Sequence, residues 1–181
     1  MSEASSTTRG HRRIDRILDP SYVDGLEDLP TEELRHRRDE SHAEREYQSL
    51  LRRLVQGRLD ILRSEAERRR SGGDEASLVE GLARALSHDG PSSPSRGEAL
   101  RLLVPPEEMT LARRRVESLV ADTALSDPRS LPDDDLESAI EALETEERNV
   151  SADRGAVIAV HDRLQDELKR RYRADPTQAL A

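Results

Sequence analysis

Cysteine, phenylalanine and tryptophan are all absent from this 181-residue chain, and tyrosine occurs three times. Without cysteine there is no disulfide, no thiolate metal site and no cysteine nucleophile. With aromatics at 2% of residues, a large globular core is not expected. No Val/Ile-rich run of the kind that builds a parallel sheet or a barrel is present. No apolar run approaches the roughly 18 residues of a membrane span. Residues 1–10 are rich in Ser and Thr and lack the apolar stretch of a signal peptide, so the expected location is the cytoplasm, away from membranes. G-x-G-x-x-G, P-loop and G-x-S-x-G patterns are missing as well. The histidines, His11, His36, His42, His88 and His161, never take H-E-x-x-H spacing, and His36 and His42 do not share a helical face. They are expected at the surface, although His161, beside Asp162, could line a groove. No metal site and no enzyme are expected, since acidic pairs on solvated helices do not make an acid/base site.

What is present is charge. Charged residues make up 37% of the chain, hydrophobic residues 34%, and the net charge is −9. The apolar share is below the usual range and the charged share above it. Two classes remain: a helical protein with a narrow apolar seam, or a partly disordered chain. A net charge of −9 argues against direct DNA binding, which needs a cationic face. The runs Arg68-Arg69-Arg70 and Arg113-Arg114-Arg115 lie among glutamates and read as solvated helix faces.

Five segments follow from the pattern: a tail and short helix over 1–28, a long helix over 29–71, a linker with short helices over 72–130, a second long helix over 131–173, and a tail over 174–181. In the first segment, Ile14 to Leu26 carries a short apolar pattern broken near Pro20. Leu29-Pro30-Thr31-Glu32-Glu33-Leu34 is a helix start in which Thr31 can cap and two glutamates meet the positive end of the dipole. Ser71-Gly72-Gly73 ends that helix, and its one interior glycine is Gly57. In the linker, 77–87 is amphipathic (Leu78, Val79, Leu82, Leu86), 90–95 is Pro/Ser-rich, and a short helix after Pro105-Pro106 carries Met109, Leu111, Val116 and Leu119. Leu131-Pro132-Asp133 opens the last helix and Asp175-Pro176 closes it.

The last helix has a heptad-like seam of Leu136, Ile140, Leu143, Val150, Val157, Leu164 and Leu168, interrupted by Glu147, Arg154 and His161. The first shows the same mixture, with Leu51, Leu54, Val55, Leu59 and Leu62 interrupted by Arg52, Gln56 and Asp60. The two long helices align without a gap. Ser151 follows Ser49 by 102 residues, as Arg154 follows Arg52 and Asp162 follows Asp60. Leu131-Pro132 follows Leu29-Pro30, and Arg170-Arg171 follows Arg68-Arg69, at the same interval. The chain therefore reads as an internal duplication, with the two helices forming a long antiparallel coiled-coil hairpin in an all-α fold.

Both copies carry Ser, Arg three residues on and Asp eleven residues on; the first adds Gln56 and the second adds Glu147. At 100° per residue these positions fall within about 80° of one another, one stripe beside the seam. Polar groups at a seam are costly unless paired. They could pair across the hairpin and fix its register. They could instead hold a ligand, for which the set suits a guanine nucleotide: Arg forks onto or stacks on guanine, Asp accepts from its N–H groups, and Ser and Gln reach a phosphate or an amide edge.

The motif E-x3-S-x2-R-x3-Q-x3-D, carried twice, resembles that of the RsiG family of anti-sigma factors. The stretch from Leu51 to Leu62, the end of the last helix from Leu164 to Arg173, and Leu102-Leu103-Val104-Pro105-Pro106 also look like that family, and the resemblance covers most of residues 14–173. It implies an antiparallel two-helix coiled coil that binds cyclic di-GMP and, when loaded, holds a WhiG-type sigma factor of the flagellar and sporulation class away from RNA polymerase. Carried over by position, the implied ligand residues are Ser49, Arg52, Gln56 and Asp60 in the first copy and Glu147, Ser151, Arg154 and Asp162 in the second. The first copy departs at Arg45, where the motif has Glu, and the second at Ile158, where it has Gln.

Overall fold

The computed structural model describes residues 12–72, 104–120 and 127–179. Among these residues every regular element is helical. They comprise α1 (Arg13–Ile17), α2 (Thr31–Ser71), α3 (Pro106–Glu117) and α4 (Asp133–Ala174), with 3-10 turns at Pro20–Val23, Leu26–Asp28, Pro128–Ser130 and Pro176–Ala179. The amphipathic pattern at 77–87, the Pro/Ser stretch at 90–95, His11 and His88 lie outside the described residues. Helices α2 and α4 pack together as the expected all-α hairpin.

Both long helices start on a proline carbonyl: Leu34 N–H donates to Pro30 O at 3.1 Å and Leu136 N–H to Pro132 O at 3.0 Å. Acidic first turns (Glu32 and Glu33; Asp133, Asp134 and Asp135) and basic last turns complement the helix dipole at each end. Thr31 does not cap. It is the first helical residue, and its hydroxyl donates to Gln178 Oε1 at 2.9 Å while accepting from Arg171 Nη1 at 3.1 Å. Gly72, at φ +62°, takes the left-handed conformation that stops α2.

The chain divides into two compact units, one of residues 1–48 and 152–181, the other of residues 49–151. In the first, Ile14, Ile17, Tyr22, Val23 and Leu26 from the N-terminal segment close over Leu34 of α2 and Val157, Leu164 and Leu168 of α4. Each such aliphatic side chain, fully buried, contributes about 1.5–3 kcal/mol. The Tyr22 hydroxyl donates to Glu40 Oε2 at 2.9 Å, and burial pushes its pKa up to about 12. In the second unit the buried positions include Leu51, Val55, Leu59 and Leu62 of α2, Ala112 and Val116 of α3, and Leu136, Leu143 and Val150 of α4.

The duplication reaches beyond the long helices. In the first unit Arg13 Nε donates to buried Glu44 at 2.6 Å; in the second, Arg115 Nε donates to buried Glu146 at 2.6 Å. Each residue of the second pair follows its counterpart by 102 positions. Glu65 accepts from Arg68 and Arg69, and Glu167 from Arg170 and Arg171. Arg69 continues to the carbonyls of Pro128 and Arg129 and to Asp133, whereas Arg171 continues to the carbonyls of Leu26, Glu27 and Leu29. The arginine runs are thus not wholly solvated faces. Arg70 is 71% exposed, as expected of such a face, but Arg69 and Arg115 tie a helix to the segment beside it.

Candidate functional site

In the second unit α2 and α4 bring four of the expected residues into one network. Arg52 Nε donates to Glu147 Oε1 at 3.0 Å and to Ser151 Oγ at 2.9 Å. Ser151 Oγ donates to Glu147 Oε1 at 3.0 Å, and Gln56 Nε2 donates to the same oxygen at 3.1 Å. The spacing explains the convergence. Arg52 and Gln56 stand four apart on α2, and Glu147 and Ser151 four apart on α4, so each pair lies on one helical face. One carboxylate oxygen therefore gathers three donors. Burial pushes the Glu147 carboxyl up, but the hydrogen bonds from Ser151, Arg52 and Gln56 outweigh it and hold the pKa below the ordinary value.

The network borders an open cleft of about 560 Å³, within the size range of small-molecule sites. Gln56, Gly57 and Asp60 line it from α2, and Glu147 lines it from α4. Arg53, Arg63 and Arg148 stand along it, with Glu144 accepting from Arg63 Nη2 at 2.7 Å. Both signs of charge and a free carboxylate at Asp60 make the cleft able to meet a ligand that carries N–H donors at one end and anionic oxygens at the other. Sequence reasoning reached Gln56, Asp60 and Glu147 through the motif but not Arg53, Gly57, Arg63, Glu144 and Arg148. Arg53, Gly57 and Arg148 each follow a motif residue by one position, about 100° round its helix and so off the motif's stripe, and an interior glycine is the one distinctive sequence signal among the missed residues.

Ser49 is half-buried on α2 in this same unit, outside the residues that line the cleft. Arg154 and Asp162 belong to the first unit, where Arg154 is half-buried and Asp162 exposed on α4. The two departures from the motif are also in that unit. Arg45 bonds Glu46 Oε1 at 3.1 Å and His42 Nδ1 at 3.0 Å, and Ile158 is half-buried. His161 is not at the surface but half-buried, with Nδ1 at 3.1 Å from Ser41 Oγ. Since that hydroxyl donates to Arg38 O at 2.8 Å, His161 is the donor to it. Burial lowers the His161 pKa, and Arg45 and His42, whose ring lies 5.8 Å away, lower it further. Among the described residues no group of three or more His, Cys, Asp or Glu side chains could hold a metal ion, and no helix is long and apolar enough to cross a membrane.

The described residues form a paired-helix scaffold with a polar, charge-lined cleft. Residues 20–86 match the RsiG-like family model. That match spans the first repeat from the Pro20 turn through α2. Comparison with curated proteins gives no match.

Proposed function

We propose that the chain is a non-enzymatic anti-sigma factor that binds cyclic di-GMP through its motif residues and, when loaded, sequesters a WhiG-type sigma factor in the cytoplasm. The observation that carries the reading is the convergence of Arg52, Gln56, Glu147 and Ser151 beside a cleft with Asp60 in its wall. The ligand's guanine edge suits Arg52, Asp60 and Gln56, and its phosphodiester suits Arg53, Arg63 and Arg148. Binding exchanges the present Arg–Glu pairing for contacts with the ligand and stiffens α2 against α4, which pre-organises a surface for the sigma factor. Falling nucleotide levels loosen that surface and release the partner. Ser49, Arg154 and Asp162 belong to the proposal through the motif.

A second reading rests on the same network. Arg52, Gln56 and Ser151 already satisfy Glu147, so the polar stripe can serve as a register-fixing ion-pair cluster that needs no ligand. Calorimetric titration with cyclic di-GMP, with GTP as control and with and without a WhiG-type sigma factor, separates the two. Binding that is lost in Arg52→Ala supports the first. No binding under either condition, together with Arg52–Glu147 coupling in a double-mutant cycle, supports the second.

A further inference from the structure

Helix α2 runs for 41 residues with one interior glycine, Gly57. Only proline is less favourable than glycine inside a helix. Among the described residues neither backbone conformation nor close packing requires it there. Its φ is not positive, and a Cβ placed on it meets no atom within 4 Å. Packing therefore gives no reason for the residue, but its position does: Gly57 lies in the wall of the second unit's cleft, next to Gln56 and one turn from both Arg53 and Asp60. The repeat supplies a second observation. The residues 102 positions on from Gln56 and Gly57 are Ile158 and Ala159, on an equally helical stretch of α4. The amide and the glycine occur together in one repeat and are replaced together in the other. Ala159 shows that this place in the repeat accepts a Cβ.

We propose that Gly57 is a specificity-determining position of the cleft, the bare stretch of α2 backbone on which the flat face of the ligand's heterocycle rests. The inference depends on the nucleotide reading above. A planar ring gains most from contacts at about 3.5–4 Å spread over its whole face, and a methyl group standing up from the floor holds the ring off that distance. Gln56, Asp60 and Glu147 meet the polar edge of a ring so placed, and their geometry depends on its height. The three arginines attract phosphate oxygens whatever stands at 57, so the glycine selects for the base and not for charge.

The test exploits two effects of opposite sign. Gly57→Ala and Gly57→Leu are made in the full chain, followed by thermal melting and by calorimetric titration with cyclic di-GMP, with Arg52→Ala alongside. Helix propensity raises the Tm of Gly57→Ala by about 2–4 °C. Intrusion on the ring weakens binding by about ten-fold for Ala and by more for Leu. Binding by both variants within about two-fold of wild type, while Arg52→Ala binds nothing, overturns the role of Gly57 and leaves the nucleotide reading standing. A fall in Tm together with affinity assigns the glycine to folding and also overturns it. No binding by the wild-type chain overturns both readings.

Discussion

Replacing Arg52 with alanine separates what the network does for the fold from what it does for a ligand. The Arg52 side chain is 40% exposed and its partner Glu147 is 23% exposed. An ion pair so open to water contributes about 0.2–1 kcal/mol, and the added bond to Ser151 about 0.5–1.5 kcal/mol. The variant leaves no orphaned carboxylate, because Ser151 and Gln56 continue to donate to Glu147. The expected loss is thus about 1–2 kcal/mol, a Tm lower by about 2–8 °C for a chain of this length. Cyclic di-GMP at a hundredfold excess over Kd adds about 2.7 kcal/mol to the wild type. A forked guanidinium contact with a base accounts for about 1–3 kcal/mol of affinity. A hundredfold loss leaves the variant only about 0.4 kcal/mol of ligand stabilisation at the same concentration. Melting curves followed by circular dichroism, with and without nucleotide, give both numbers. A ligand-induced rise in Arg52→Ala equal to that of wild type refutes the site. A ligand-free loss above about 4 kcal/mol refutes the reasoning from exposure.

Three further outcomes are expected. Arg115→Ala strands buried Glu146 and is expected to cost about 3 kcal/mol in urea unfolding; Arg13→Ala costs less, because Gln48 Nε2 still donates to Glu44 at 2.7 Å, and Arg63→Ala, which breaks an exposed pair, costs less than about 1 kcal/mol. Hydrogen bonds from Arg68 to Glu65, and from Arg170 to Glu167, lead the effects that hold these carboxyls at about 2, below the ordinary value of 4.5. The stability they contribute is complete above about pH 4.5 and is lost as pH falls towards 2, so Tm measured across that window drops, and drops less in Glu65→Gln. His161, its pKa lowered chiefly by burial, binds a proton less readily in the folded state than in the unfolded chain, which takes one up below about pH 6.5. Tm therefore decreases as pH falls below that value, and His161→Gln flattens the decrease; an unchanged slope would refute the assignment.

The hairpin was legible because period and punctuation agree. Leu136, Leu143, Val150, Val157 and Leu164, read from their spacing as a seam, are all buried, and both helix starts fall within two residues of their Leu-Pro signals. Arg52, Gln56, Glu147 and Ser151 were legible as a set because the motif places them on facing stripes. The buried acids were not. Glu44, Glu65 and Glu146 belong to a residue type that nearly always faces water; Arg13 and Arg115, both distant in sequence, make the burial of Glu44 and Glu146 tolerable, and the adjacent Arg68 and Arg69 do so for Glu65. The interval of 102 residues holds the missing signal, since it carries Arg13–Glu44 onto Arg115–Glu146 as it carries one long helix onto the other. Thr31 misled because a threonine at a helix start is usually a cap, whereas here Arg171 and Gln178 claim its hydroxyl.

The first unit draws its core from opposite ends of the chain, and this bears on how the protein is made. Ile14, Ile17, Tyr22, Val23 and Leu34 leave the ribosome early, but Val157, Leu164 and Leu168, which cover them, are translated more than a hundred residues later. At about 5–20 residues per second the early segment waits roughly 6–25 s with its apolar face open. During that wait the nascent chain is exposed to chaperones, to proteases and to the equivalent surface on a neighbouring polysome, and its charge-rich, aromatic-poor composition limits how much adhesive surface it shows them.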